Sequence, residues 1–250
     1  VGGGVRVEWG GVRGGGGRGR KGGGRKRVIV ECGGTLVDSQ NGICEAMDHA
    51  FAGMGLVPPT RDRTLAIVGL SLPEAFFALA PEHDETVRIE LAHRYRTAFL
   101  ELKRDPAHHE PLFDGIADAI AAFAGRDDLL LGIATGKSRR GIDRLFEREG
   151  WAPHFATIQT ADEHPSKPHP AMVLAAMAET DMQPETTVMV GDTSFDMEMA
   201  RAAGVGALGV AWGYHDAEEL HDAGAHEVLV APTDLAVGID AFFARRERAA

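Results

Sequence analysis

A chain of 250 residues has room for one large core, or for a core domain that carries a smaller insert. Its 44% apolar and 25% charged residues are ordinary for a water-soluble globular protein, and no apolar run reaches the length of a membrane span. The net charge of −11 is unevenly spread: residues 1–27 hold eight Lys or Arg against the single acid Glu8, which leaves the remainder near −18 and argues against nucleic-acid binding by the folded part.

In chain order, residues 1–27 come first. They contain only Gly, Val, Arg, Lys, Glu and Trp, and thirteen of them are Gly. So little apolar surface cannot offset the entropy of ordering, and the segment is expected to be disordered. One reading is a Gly/Arg-rich RNA-binding arm. The favoured one is that the stretch is not native coding sequence, since each residue type in it has a codon ending in G and no initiator Met stands at its head.

From Val28 onward, short apolar runs alternate with amphipathic stretches of helical period, the pattern of a doubly wound α/β fold with a mainly parallel sheet. Strands are expected at Val28–Glu31, Leu129–Ala134, Ala156–Thr160, Thr187–Val190, Gly206–Val210 and Glu227–Val230. Helices are expected at about Asp114–Ala124, Arg139–Glu149, Pro170–Thr180, Phe195–Ala203 and Thr233–Arg245. Between the first two strands lies a helical insert, residues 39–111. Ile43, Met47, Ala50 and Phe51 keep one helical period there, and Val87, Leu91, Tyr95, Ala98 and Leu102 another. Pro73 marks a further helix start at Ser71 or Leu72, since proline suits a first turn. The core is then residues 28–38 and 112–250. Cys32 and Cys44 form no CxxC or Cys/His zinc spacing, so a reducing cytoplasm is the default location. His108 and His109 read as loop residues and His215 as packing near the rim of a site.

Four segments carry chemistry. The first is Val28-Ile29-Val30-Glu31-Cys32-Gly33-Gly34-Thr35-Leu36-Val37-Asp38-Ser39, a β-branched run that ends in a carboxylate and a Gly-Gly-Thr turn. The second is the strand Leu130–Ala134 ending in Thr135-Gly136-Lys137; the third is Ser166-Lys167-Pro168; the fourth is Val188-Met189-Val190-Gly191-Asp192, with Asp196 four residues on. In an open parallel sheet, ligands bind beyond the carboxyl ends of the strands where strand order reverses, so Glu31, Thr135 and Asp192 can share one pocket. Phosphoryl transfer asks for a nucleophile, donors and cations around the equatorial oxygens, and hard oxygen ligands for Mg²⁺. Thr135 and the backbone after it, Lys167, Asp192 and Asp196 have those chemistries.

In this order and spacing the four segments resemble the haloacid dehalogenase superfamily, and the resemblance covers the chain from Val28 to about Ala231. The helical insert, Leu36-Val37-Asp38-Ser39 and Gly209-Val210-Ala211-Trp212-Gly213-Tyr214-His215 are similar to the phosphoglycolate phosphatase group, whose small helical cap corresponds to residues 39–111. The resemblance implies a Mg²⁺-dependent phosphatase of a small phosphorylated metabolite, monomeric or homodimeric. It implies catalytic roles for positions 31, 33, 135 and 167, phosphate binding by Gly34, Thr35, Thr135, Gly136 and Lys167, and metal binding by Glu31, the Gly33 carbonyl, Asp192 and Asp196. Specificity would lie near Gly69 to Leu72, with Arg61 and Arg63 upstream, although a solvated helix face is the favoured reading of both arginines.

Two positions depart from the pattern. The family has Asp as nucleophile where this chain has Glu31, and Asp as acid and base where it has Gly33. The extra methylene of Glu31 displaces its carboxylate, and a ~1 Å misplacement can cost ~100-fold; loss of the acid at 33 can cost ~10²–10⁴-fold. Activity as written is therefore expected to be impaired. Three alternatives stay open: a phosphonoacetaldehyde hydrolase, which would need a cap lysine where the insert has only Lys103; a haloacid dehalogenase; and a pseudoenzyme that binds a phosphorylated ligand or partner. The G bias of residues 1–27 would also turn Asp codons into Glu and Gly, so the native motif is expected to read Asp-Cys-Asp-Gly-Thr.

Overall fold

The computed structural model describes residues 25–104 and 110–249. Residues 1–24 of the segment expected to be disordered, together with Pro106, His108 and His109, lie outside the described residues.

Six strands are named in chain order: β1 (Lys26–Val30), β2 (Leu129–Thr135), β3 (Phe155–Thr160), β4 (Thr187–Gly191), β5 (Gly206–Val210) and β6 (Glu227–Leu229). They form one sheet in the order β3-β2-β1-β4-β5-β6, with every pairing parallel. Strand residues alternate between its two faces, as a period of two requires. Val28 and Val30 of β1 and Val188 and Val190 of β4 enter one apolar cluster, which Ile120, Ile142, Leu145, Ile239 and Phe242 complete. Ile29 and Met189 enter the opposite one, with Val173, Met177 and Met197. The first cluster is covered by α5 (Ile116–Ala124), α6 (Arg139–Glu149) and α10 (Leu235–Ala249), the second by α7 (Ala171–Glu179) and α8 (Ser194–Ala202). This is the doubly wound α/β architecture that the alternation of strand and helix patterns predicts.

The start of the sheet corrects the sequence reading. β1 begins at Lys26, inside the stretch expected to be disordered, and the Lys26 N–H donates to the Asp128 carbonyl at 2.8 Å. Arg27 is wholly buried, and its Nη1 donates to the Ala176 carbonyl at 3.1 Å. The aliphatic stem of an arginine packs as a strand residue does, a property that a count of charges hides. Elsewhere the bounds shift less, although α10 runs past Arg245 to Ala249. A short helix, α9 (Ala217–Asp222), has too few residues to show a period; Asp216 and Glu219 hold it by a capping box.

Strand order reverses at β1: the chain builds outward through β2 and β3, then returns to place β4 on the other side. Val30 lies opposite Ile133 in β2 and Val190 in β4. The residues that follow these strands therefore leave the sheet together, at one crevice.

Among the described residues, the chain between β1 and α5 forms four α-helices, α1 (Gln40–Ala52), α2 (Arg61–Leu65), α3 (Leu72–Leu79) and α4 (Glu85–Leu102). They bury a cluster of their own, Met47, Phe51, Phe76, Leu79 and Leu91, with the Phe51 and Phe76 rings stacked at 6.2 Å. Pro73 sits in the first turn of α3 after the cap residue Ser71, where the sequence predicts it.

Candidate active site

Glu31 is the first residue beyond β1 and is 4% exposed. Its backbone still belongs to the sheet, the N–H donating to the Val190 carbonyl at 2.9 Å, so its side chain leaves the strand end in a fixed direction. Three donors meet the carboxylate. Oε1 accepts from Thr135 Oγ1 at 2.6 Å and from the Gly33 N–H at 3.1 Å, and Oε2 accepts from Lys167 Nζ. Lys167 also donates to Asp196 Oδ1 at 2.6 Å. Burial alone would lower the Lys167 ammonium; the charges of Asp196 and Glu31 outweigh it and hold the group above its ordinary value.

Asp192 follows β4 and is fully buried. Its Oδ1 accepts from Thr35 Oγ1 at 2.8 Å and its Oδ2 from the Tyr214 N–H at 3.1 Å. Burial, then the charges of Asp196 and Glu31, push its carboxyl well above the usual range. Gly34 makes room for this contact. It adopts φ +84°, in the left-handed region, and a Cβ there would run into the Asp192 carboxylate. Asp196 occupies the third helical position of α8, where Oδ2 accepts from the Thr193 N–H at 3.1 Å and from its Oγ1 at 2.8 Å. Both Asp196 oxygens thus already have partners within the protein.

Of the residues singled out from the sequence, the structure brings together Glu31, Thr35, Thr135, Lys167, Asp192 and Asp196, linked by the bonds above. Gly33 and Gly136 line the same cavity as Glu31. Cys32 points away into the apolar core, as expected, and burial pushes its thiol up to about 12. His215 is buried beside the site, its Nδ1 accepting from the Ser194 N–H at 3.2 Å. Arg61 and Arg63 stay on the exposed α2, bonded to Gln40 and Asn41 and to the Leu79 carbonyl, while Gly69 to Leu72 do line the cavity. That segment is tied across the site: the Ser71 N–H donates to Ser166 Oγ at 2.7 Å. Gly69, at φ +106°, would bring a Cβ within 3.2 Å of Thr193 Oγ1.

One cluster escaped the sequence reading. Lys137 Nζ donates to Glu110 Oε1 at 2.6 Å and to Ser39 Oγ at 3.0 Å, and Lys103 Nζ pairs with Glu110 Oε2 at 2.8 Å. The two lysines draw the Glu110 carboxyl down to about 2, against a burial effect that alone would raise it. The lone available signal was the position of Lys137 directly after Thr135-Gly136.

The cavity in front of Glu31 has a volume of about 990 Å³. Its lining includes the apolar Ile43, Met47, Ile67 and Phe99 from the helical insert and Arg140 and Arg144 of α6. Glu31 lines the cavity, and three buried carboxylates, Glu31, Asp192 and Asp196, share one buried ammonium, Lys167, which pairs with Glu31 and Asp196. This crowding of carboxylates, with burial and the charges of Asp196 and Glu31 raising Asp192, is the electrostatic setting a divalent cation relieves. Among the described residues no three His, Cys, Asp or Glu side chains form a metal cage. The hard carboxylate oxygens are the donor chemistry of a divalent cation that keeps several waters and takes few carboxylates.

A sequence profile of the haloacid dehalogenase-like hydrolases matches residues 29–210. The chain belongs to this family. A phosphoglycolate phosphatase of Chromobacterium violaceum is 31% identical over 78% of this chain and 89% of its own length. The Dickeya dadantii protein called "Probable phosphatase IndB" is 34% identical over 77% of this chain and 84% of its own. In fold, a hydrolase from Pseudomonas syringae superposes with a TM-score of 0.76 at 23% identity, over 86% of this chain and 98% of that one. The haloacid dehalogenase-like fold named from four short segments thus extends across the sheet and its helices. Among the described residues no helix is long and apolar enough to cross a membrane.

Proposed function

We propose that this haloacid dehalogenase-like hydrolase is a Mg²⁺-dependent phosphatase of small phosphate monoesters, working through an acyl phosphate on Glu31. The observation that carries the reading is the convergence of Glu31, Thr135, Lys167 and Asp192 from four separate loops on one buried crevice, at the mouth of a cavity that can take an organic leaving group. Relatives named as phosphatases support it.

In this scheme Glu31 attacks phosphorus. Thr135 and Lys167 orient the carboxylate beforehand and are placed to receive the phosphoryl oxygens, with the backbone of Gly34, Thr35 and Gly136 around them. Glu31, the Gly33 carbonyl, Asp192 and Asp196 would hold the Mg²⁺, which supplies charge neutralisation to the phosphoryl group. Residues 39–111 act as a cap that keeps bulk water from the acyl phosphate. Two features slow the reaction: the Glu31 side chain is one methylene longer than the family's nucleophile, and Gly33 offers no acid or base.

The test is hydrolysis of p-nitrophenyl phosphate by the purified chain with Mg²⁺. A slow rate that a chelator abolishes and orthophosphate inhibits supports the phosphatase. Orthophosphate binding with no turnover would instead support a phosphate-binding pseudoenzyme, the reading that the absent side chain at Gly33 favours.

A further inference from the structure

We infer that Lys137 is a catalytic residue that stabilises the leaving-group oxygen, serving the place in the pocket that Gly33 leaves without a side chain. The inference rests on the phosphatase reading and extends it to a residue outside the four-loop set.

Room decides which way a substrate lies. Glu31 is enclosed on its Oε2 side by Lys167 and Asp196, all three buried, and it lines the large cavity. The organic part of an ester must occupy that cavity, so the leaving oxygen departs past its neck, where Gly33, Ser39, Lys137 and Glu110 stand. Gly33 carries nothing that can meet a developing charge. A Cβ built on it would lie 3.4 Å from Lys137 Cε and 3.9 Å from its Nζ, so the lysine head fills the space that a side chain at 33 would reach.

The ammonium is also held ready. It has three N–H donors; Ser39 Oγ takes one at 3.0 Å and Glu110 Oε1 another at 2.6 Å. The third has no partner among the described residues, and the side chain, 18% exposed, lines the cavity. Its backbone N–H bonds Thr135 Oγ1 at 3.1 Å, and that hydroxyl in turn bonds Glu31, so the loop bearing the lysine is registered on the nucleophile. Glu110 is shared with Lys103, so the cluster of two lysines and one carboxylate keeps a net positive charge at the neck.

As Glu31 forms its bond to phosphorus, the ester P–O bond breaks and its electron pair moves to the leaving oxygen. The third Lys137 donor meets that charge in a site shielded from bulk water, where a preorganised donor is worth about 10²–10³-fold in rate. The proton that completes the alcohol comes, over the full cycle, from the water that hydrolyses the acyl phosphate.

A leaving group that needs no help separates this role from a structural one. We would measure kcat/KM with Mg²⁺ for p-nitrophenyl, phenyl and benzyl phosphates, in the chain and in Lys137→Met. The expected result is a loss of about tenfold or less on the p-nitrophenyl ester and of about 10²–10³-fold on the benzyl ester, with inhibition by orthophosphate unchanged. Gly33→Asp added to Lys137→Met should recover much of the benzyl rate. An equal loss on all three esters, or weaker orthophosphate binding in the variant, overturns the inference. Should Lys137→Met not fold, Lys137→Gln, which keeps hydrogen-bonding groups but no charge, carries the same comparison. If the unaltered chain cleaves no ester above the uncatalysed rate, the phosphatase reading itself fails and takes this inference with it.

Discussion

Glu110 offers a measurement of how strongly the neck of the pocket is built. Its carboxyl is drawn from an ordinary 4.5 to about 2 by Lys137 and Lys103, which outweigh the cost of burial. A carboxyl lowered on folding stabilises the native state at pH above its unfolded value, and that contribution disappears as pH falls through the folded value. The relevant window is therefore pH 4.5 down to 2. A displacement of this size corresponds to about 3 kcal/mol, and we take about 2 kcal/mol because the side chain keeps 20% exposure and water screens part of the pairing. Glu110→Gln should cost about that much at pH 7, and less than half of it at pH 3, where the unfolded carboxyl has already taken its proton. Urea denaturation of both proteins at pH 7, 5, 4 and 3 gives the difference directly, and other carboxylates cancel in the subtraction. A difference that stays constant from pH 7 to pH 3 would refute the reasoning.

Two further outcomes follow from buried charge. Arg27 is wholly buried with one hydrogen bond, and its Nε and Nη2 have no partner. Burial lowers the guanidinium to about 10, with Glu179 opposing. Arg27→Met should leave stability unchanged or raise it by up to about 2 kcal/mol, and a loss larger than that in thermal denaturation would show the charge to be needed. Asp192 is the least comfortable carboxylate of the site, pushed up by burial and by its neighbours Asp196 and Glu31. Asp192→Asn should raise the melting temperature without metal by the equivalent of about 1 kcal/mol and should abolish the further rise that Mg²⁺ gives the unaltered chain; an equal Mg²⁺ response in both proteins would remove Asp192 from the metal site.

The sheet was legible because its strands are short apolar runs between helical stretches, and the crevice was legible because Glu31, Thr135 and Asp192 each end such a run. What stayed hidden has physical causes. Arg27 looks like part of a basic tail, and only packing reveals that its stem serves as a strand residue under Ala176. Lys137 is distant in sequence from Lys103 and Glu110 and meets them because the end of α4 and the loop after β2 approach the same cavity. No local pattern encodes a contact of that kind. Asp196 reads as a site carboxylate in the sequence; its bond to Lys167, made while it closes the capping box of α8 with Thr193, appears only in the fold.

In the proposed phosphatase, Glu31 is one methylene longer than the family's nucleophile and Gly33 stands where the family has its acid. The most direct test restores both. A Cβ on Gly33 would meet no atom closer than 3.4 Å, and Gly33 does not adopt the left-handed backbone of Gly34, so its backbone accepts a side chain, and an Asp carboxylate there would meet the flexible Lys137 head. Glu31→Asp with Gly33→Asp should raise Mg²⁺-dependent hydrolysis of p-nitrophenyl phosphate by about 10²-fold or more over the chain as it stands. A double variant that folds, binds orthophosphate and still cleaves nothing would contradict the phosphatase assignment.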